Sequence, residues 1–343
     1  MKLLSNQILV PVKAMPNRPA ALRPHPVGGE GDLDGGLGGA PIALGGGVTV
    51  SQGLSQQIDE QSLGLGFRTG YYIDEIRVSA YTAQRNALHF WTGLAQLVQL
   101  KFECGPHAFS PQEPMGVPMG LLGPRYNGDT GSAAENLIGS VGRDFARVRW
   151  VLPKPLYMPP GDVLRCTVFN IANAAALGGQ PDMTVNVAYV GRAIPQGTKP
   201  PLTRQVPWLG FAQNFFTNTN TFFQTQGEGD FKNPFAKRVI VHRFTERSVL
   251  YDGSSWLDYT VAGSPAGTFI EVRMDDSLGY AIVPQFMPLG PVFDEQSRGA
   301  WTFSRALGPH EQFNLQMRLN GTFAGNNKYN VQVGAVGYRD EEI

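Results

Sequence analysis

WTFSRALGPHEQFNLQMRLN, residues 301–320, is the stretch whose reading decides the fold. An aromatic strand start at Trp301 runs to Leu307 and is interrupted by Gly308-Pro309. Phe313, Leu315, Met317 and Leu319 then alternate with polar residues up to Asn320. Side chains on a strand point to opposite faces in turn, so this alternation describes a strand with one face buried, entered through a tight turn. Val331, Val333, Val336 and Gly337 carry the pattern into a further strand. Trp301, Phe303, Phe313, Leu315, Val331 and Val333 are expected to point into one core.

The same order of residues occurs earlier in the chain. Trp150, Pro153, Leu156, Pro159, Gly161, Val163, Leu164, Cys166, Val168 and Asn170 lead to Met183, Val185, Val187, Val190 and Gly191. Upstream, Ile76-Arg77-Val78 matches Val239-Ile240-Val241, Val98 to Lys101 matches Ile270 to Arg273, and Leu122-Gly123-Pro124 matches Leu289-Gly290-Pro291. Matched pairs keep their order while their spacing drifts, as loop insertions allow. This reads as an internal duplication, in which Trp150 takes the place of Trp301 and Asn170 that of Asn320.

A chain of 343 residues is long enough for two domains with sizeable cores. Its 42 glycines and 26 prolines make nearly a fifth of the residues, against about 12% on average. Such punctuation favours many short strands joined by turns. The 28 basic and 28 acidic residues cancel, which removes any long-range attraction of the whole molecule to nucleic acid or anionic lipid. Charged residues are 16% of the chain, below the usual ~25%, so part of the surface is expected to meet protein rather than water. Cys104 and Cys166 belong to no CxxC pair and are expected to be buried free thiols. Lys2 is followed by no apolar signal region, and no run of ~18 apolar residues occurs, so a soluble chain without an export signal is expected.

Taken in order, residues 1–57 read as an extended Gly/Pro-rich arm. Pro11, Pro16, Pro19, Pro24 and Pro26 exclude regular structure, and Gly28 to Gly47 carries isolated aliphatics. Leu33, Leu37, Ile42 and Leu44 are too widely spaced to bury one another, and are assigned to grooves on neighbouring subunits. Residues 58–194 form a first β-sandwich unit, 195–207 a Pro-rich linker and 208–343 a second unit. Within the first, Tyr72 to Tyr81 alternates with an irregularity near Asp74 and Glu75. After the linker, Trp208 to Phe223 holds many aromatics among Asn and Thr, with no Lys or Arg. That composition argues against nucleic acid and for buried strands between domains or subunits. Phe215, Phe216, Phe222 and Phe223 are its assembly candidates.

Catalytic patterns are missing from the sequence. The five histidines, His25, His89, His107, His242 and His310, form no HxH or HExxH pair. The glycine-rich stretch lacks the Lys and the helix pattern of a phosphate loop, and Gly-x-Ser-x-Gly does not occur. Asp275-Asp276, with Asp252 and Asp258, carries carboxylates of the kind a glycosidase pairs. Adjacent strand residues point to opposite sides, so a solvated turn is the reading here. No catalytic, cofactor-binding or metal-ligating residue is assigned.

The repeated order of strand, Pro/Gly turn and strand over residues 57–340 resembles the double jelly-roll coat proteins of icosahedral viruses. It is also similar to β-sandwich proteins on tailed-phage heads, and the N-terminal segment resembles arms that stitch capsid subunits together. The resemblance implies an all-β chain of two tandem jelly-roll-like β-sandwich units. It further implies a non-enzymatic virion structural protein, a coat or head-decoration subunit of a bacteriophage or other virus, assembled in the host cytoplasm. Its expected partners are copies of itself, as a trimer or higher homo-oligomer, and other virion proteins, with no cofactor, no specific nucleic acid and no membrane contact. The aromatic segment keeps a second reading open, a carbohydrate- or receptor-binding β-sandwich protein of a phage tail fibre.

Overall fold

The computed structural model describes residues 44–50, 55–59, 70–82, 98–123, 146–170, 183–195, 197–225, 231–251, 256–258, 269–293, 300–321 and 328–342. The first half supplies β1 (Leu44–Val50), β2 (Ser55–Asp59), β3 (Tyr71–Thr82), β4 (Val98–Cys104), β5 (His107–Ala108), β6 (Val117–Pro118), β7 (Ala146–Met158), β8 (Leu164–Asn170) and β9 (Met183–Ala193). The second supplies β10 (Thr203–Phe216), β11 (Phe222–Gln224), β12 (Val239–Tyr251), β13 (Trp256–Asp258), β14 (Phe269–Asp276), β15 (Ala281–Pro288), β16 (Ala300–Leu307), β17 (Phe313–Asn320) and β18 (Lys328–Glu342). All strand pairs among the described residues are antiparallel.

Among the described residues these pairs make four sheets, and their strand orders repeat. In the first half the orders are β1-β9-β3-β7 and β2-β8-β4-β5, with β6 also on β4. In the second they are β10-β18-β12, with β16 and β13 both on β12, and β11-β17-β14-β15. Numbering strands from the start of each half, and setting aside the two-residue β6 in the first and β13 in the second, both halves read first-eighth-third-sixth in one sheet and second-seventh-fourth-fifth in the other. This is the eight-strand jelly roll, built twice. The connection from fifth to sixth strand also carries a helical turn in each half, a 3-10 turn at Met119–Leu121 and a short α-helix at Leu289–Phe293.

Pairing registers test the matched residues one at a time. The third strand of each half has a bulge, at Asp74 in β3 and at His242 in β12, and Asp74 lies where the alternation becomes irregular in the sequence. Two residues beyond each bulge, Ile76 pairs with Trp150 and Phe244 with Trp301, so the tryptophans occupy the same place. One residue before each bulge, Ile73 pairs with Gly191 and Val241 with Gly337. A Cβ on Gly191 would lie 2.1 Å from the Tyr72 carbonyl, and one on Gly337 2.4 Å from that of Ile240, so both positions need glycine for the same close approach. Two sequence matches slip. Ile76 corresponds to Phe244 rather than Val239, because the bulge fixes the register, and Asn170 pairs with Val98 where Leu319 pairs with Ile270, one residue short of Asn320.

Each sandwich has an apolar core. Leu100, Phe102, Trp150, Cys166 and Val185 lie in the first, and Phe244, Val272, Leu315, Met317 and Val331 in the second. β17 shows why alternation is readable: Phe313, Leu315, Met317 and Leu319 are buried while Arg318 and Asn320 are exposed. Phe313, Leu315, Val331 and Val333 point inward as expected, and the side chains of Trp301 and Phe303 lie outside the described residues. Both cysteines are buried and neither is in a disulfide.

Strand pairing redraws two boundaries. Leu44 to Val50, assigned above to the arm, form β1 and pair along their whole length with β9, and β2 begins at Ser55. The first sandwich therefore includes strands before residue 58, with β1 as the edge beside β9. β10 begins at Thr203, so the last five residues of the Pro-rich linker are already strand, paired with β18.

Candidate assembly surface and the seam between sandwiches

β10 and β18 form a wall shared by the two cores. Trp208, Ala212 and Phe216 of β10 face the second core, while Val206, Leu209 and Phe211 join the first. On β18, Tyr329, Val331, Val333 and Ala335 face the second core, and Val336 joins the first. A strand buried on both faces reads as a near-continuous apolar run, and VPWLGFA at 206–212 is one.

Polar contacts complete the seam. Along one face of β12, Arg243, Thr245 and Arg247 donate to successive carbonyls of the 3-10 turn, those of Leu122 (3.0 Å), Leu121 (2.7 Å) and Gly120 (2.9 Å). Donors two residues apart on a strand share a face, which is why three of them meet one short turn. Gly334 lets the turn approach, since a Cβ there would lie 2.9 Å from Leu121 Cβ. The Leu209 amide donates to the Phe109 carbonyl at 2.8 Å.

At one end of the seam lies a cluster of charges. Arg204 of β10 pairs with Asp162, in the turn before β8, and its Nη1 is 3.4 Å from Cys104 Sγ. That sulfur also lies 3.2 Å from Met158 Sδ, and burial pushes the thiol up to about 12. Arg339 of β18, its side chain 1% exposed, donates through Nη2 to the Ala108 carbonyl (3.2 Å) and through Nε to Glu341 (2.6 Å). Its guanidinium carbon sits 4.0 Å from the centre of the Phe235 ring. Burial draws the Glu341 carboxyl upward, but hydrogen bonds from Arg339 and Lys237 outweigh it and hold the group below the ordinary value.

Asp276, expected in a solvated turn, is buried. It caps the β14–β15 hairpin by accepting the Leu278 (3.0 Å) and Tyr280 (2.9 Å) amides, and it pairs with Arg305. Asp275 points the other way and accepts from Asn314 at 2.8 Å. Among the described residues no group of three His, Cys, Asp or Glu side chains is placed to hold a metal ion, and no helix is long and apolar enough to cross a membrane.

The assembly candidates separate by strand parity. Phe216 is fully buried in the second core and Phe223 packs against that core, whereas Phe215 and Phe222 are exposed at 46% and 51%. The loop between them is tied down, with Asn220 Nδ2 donating to the Phe215 carbonyl (2.7 Å) and to Asn214 Oδ1 (3.1 Å). Leu44 opens β1, and Leu33, Leu37 and Ile42 lie outside the described residues. Leu202, Leu278 and Tyr280 are further exposed apolar side chains that the sequence did not single out, because nothing local distinguishes an exposed hairpin aliphatic from a buried one.

No protein-family model matches this chain, and no curated protein does. Solved structures similar to it include the mavirus major capsid protein, at 9% identity and a TM-score of 0.36, covering 88% of this chain and 87% of that one. They also include the triple jelly-roll and turret assembly of an archaeal virus, at 8% identity and TM-score 0.21, covering 90% and 61%. A third is the Macrobrachium rosenbergii nodavirus, at 12% identity and TM-score 0.21, covering 97% of each chain. The jelly-roll assignment rests on the strand order of the chain itself.

Proposed function

We propose that this chain is a virion structural protein, a coat subunit that does its work by assembling with copies of itself and with other virion components rather than by catalysis. The observation that carries the reading is the repeated eight-strand order, locked into one block by the shared wall of β10 and β18. A block of two like sandwiches at a fixed offset presents two similar sets of edges and loops to its neighbours, which suits a closed, symmetric shell. The halves are read as descendants of one duplicated unit, supported by the paired bulges, tryptophans and glycines. Phe215 is assigned to contacts between subunits, as is the segment with Leu33, Leu37 and Ile42.

Assembly of the purified chain, followed by sedimentation velocity and electron microscopy, tests this. Closed oligomers or shells are expected, and a monomer at every concentration reached would contradict the reading. Removing residues 1–43 spares every described strand, so the truncated protein should keep its circular dichroism and lose assembly or particle stability. Equal assembly with and without those residues would remove the arm from the proposal.

A further inference from the structure

The outer face of the β11-β17-β14 sheet carries a pattern that neither core nor seam explains. Register places Phe222, Arg318 and Glu271 side by side in one row across the three strands, and Gln224, Gln316 and Arg273 in the next. With strands about 4.8 Å apart and same-face residues about 7 Å apart along a strand, the two rows span about 10 by 7 Å, the footprint of one or two sugar rings. The first row is rigid. Arg318 pairs with Glu271 and lies 4.3 Å over the Phe286 ring, and Asn320 Nδ2 donates to Glu271 at 3.1 Å. The Phe222 ring beside it is half exposed. Each Arg on the patch has its acid, Arg318 with Glu271 and Arg273 with Asp275 (3.7 Å), so the face carries no net charge.

We propose that this face binds a neutral oligosaccharide. A sugar ring offers an apolar face of C–H groups and a rim of hydroxyls that both donate and accept. Phe222 supplies a flat apolar surface for the first. The Gln224 and Gln316 amides, each a donor and an acceptor, lie next to it for the second. Cancelled charge disfavours a sulfated or sialylated glycan and gives nucleic acid no phosphate-binding surface. Arg318 and Glu271 at the edge of the patch are already held by their ion pair and by Asn320, which reduces the ordering cost of binding. The proposal does not depend on the assembly reading, since the face belongs to one sandwich.

The test uses the full chain against immobilised neutral oligosaccharides of glucose, mannose, galactose and N-acetylglucosamine, with heparin and sialyllactose as anionic probes, and then calorimetry with any oligosaccharide captured. Phe222→Ala and Gln316→Ala should each weaken binding about tenfold or more while leaving the melting temperature in place. Capture of anionic probes alone, capture of none, or binding indifferent to both replacements would overturn the proposal. If the replacements instead change the sedimenting species and no neutral sugar binds, the face is a contact between copies and the proposal falls.

Discussion

Replacing Arg339 by Ala is expected to destabilise the protein by about 3–5 kcal/mol. The side chain is buried, so no water takes over its bonds. Its loss removes the donor to the half-buried Ala108 carbonyl, about 1 kcal/mol. The bond to Glu341 is charge-assisted and contributes about 1.5–3 kcal/mol, toward the lower end because Lys237 Nζ still stands 3.2 Å from that carboxylate. The guanidinium over Phe235 adds about 1 kcal/mol. Urea unfolding followed by tryptophan fluorescence reports on both halves, because Trp150 lies in the first core and Trp208 in the second. The variant should unfold at lower urea, with the transition broadening as the sandwiches uncouple. Arg339→Lys keeps a positive charge near Glu341 but lacks the fork that reaches Ala108, and should recover roughly half of the loss. A change under about 1 kcal/mol for Ala, or a Lys variant equal to the parent, would refute the view that Arg339 bridges the sandwiches through its geometry.

Gly191→Ala and Gly337→Ala should each cost about 2 kcal/mol or more, since the added carbon meets a strand carbonyl that cannot move without breaking the ladder. Similar losses in thermal melts of the two variants are expected from equivalent positions, and one neutral substitution would break the equivalence. Acid should act in two windows. Burial lowers His107 and His242, so the unfolded chain takes protons first and stability begins to fall as pH drops below about 6.5. Glu341 and Glu75 are also lowered: burial opposes this, but Arg149 and Arg77 outweigh it at Glu75 as Arg339 and Lys237 do at Glu341. Their contribution is complete above about pH 4.5 and is lost as pH falls through their lowered values. Glu75→Gln and Glu341→Gln should flatten the lower part of the stability profile measured by urea unfolding across pH, and an unchanged slope would remove both pairs from it.

Much of the fold was legible because alternation is a local signal. β17 could be read residue by residue, and so could the kink at Asp74, where two charged residues interrupt an alternating run. β1 was hidden for the opposite reason. LGGGVTV has too few side chains to alternate, and its structure comes from backbone pairing with β9, which no short window contains. The His242 bulge sits among apolar neighbours that read as unbroken strand, and this misplaced the third-strand match by five residues. In the aromatic segment composition points to burial without a direction. Parity within β10 and β11 separates Phe216 and Phe223 from Phe215 and Phe222, and it becomes usable only once the strand ends are fixed. The row of Phe222, Arg318 and Glu271 comes from three distant parts of the chain, so only register reveals it.

The shared wall has a consequence for biosynthesis. Val206, Leu209, Phe211 and Val336 complete a core whose other residues lie between positions 71 and 189. The amino-terminal sandwich therefore leaves the ribosome with one side open, and at about 5–20 residues per second it waits roughly ten seconds or more before β18 has been made. Until then its apolar wall and unpaired strand edges are exposed to other nascent chains. The amino-terminal sandwich is thus no natural point at which folding can pause, and synthesis at low temperature or in the presence of a holding chaperone should raise the soluble yield of the intact chain more than that of a carboxy-terminal fragment starting at Pro201, which carries its own core from β10 to β18.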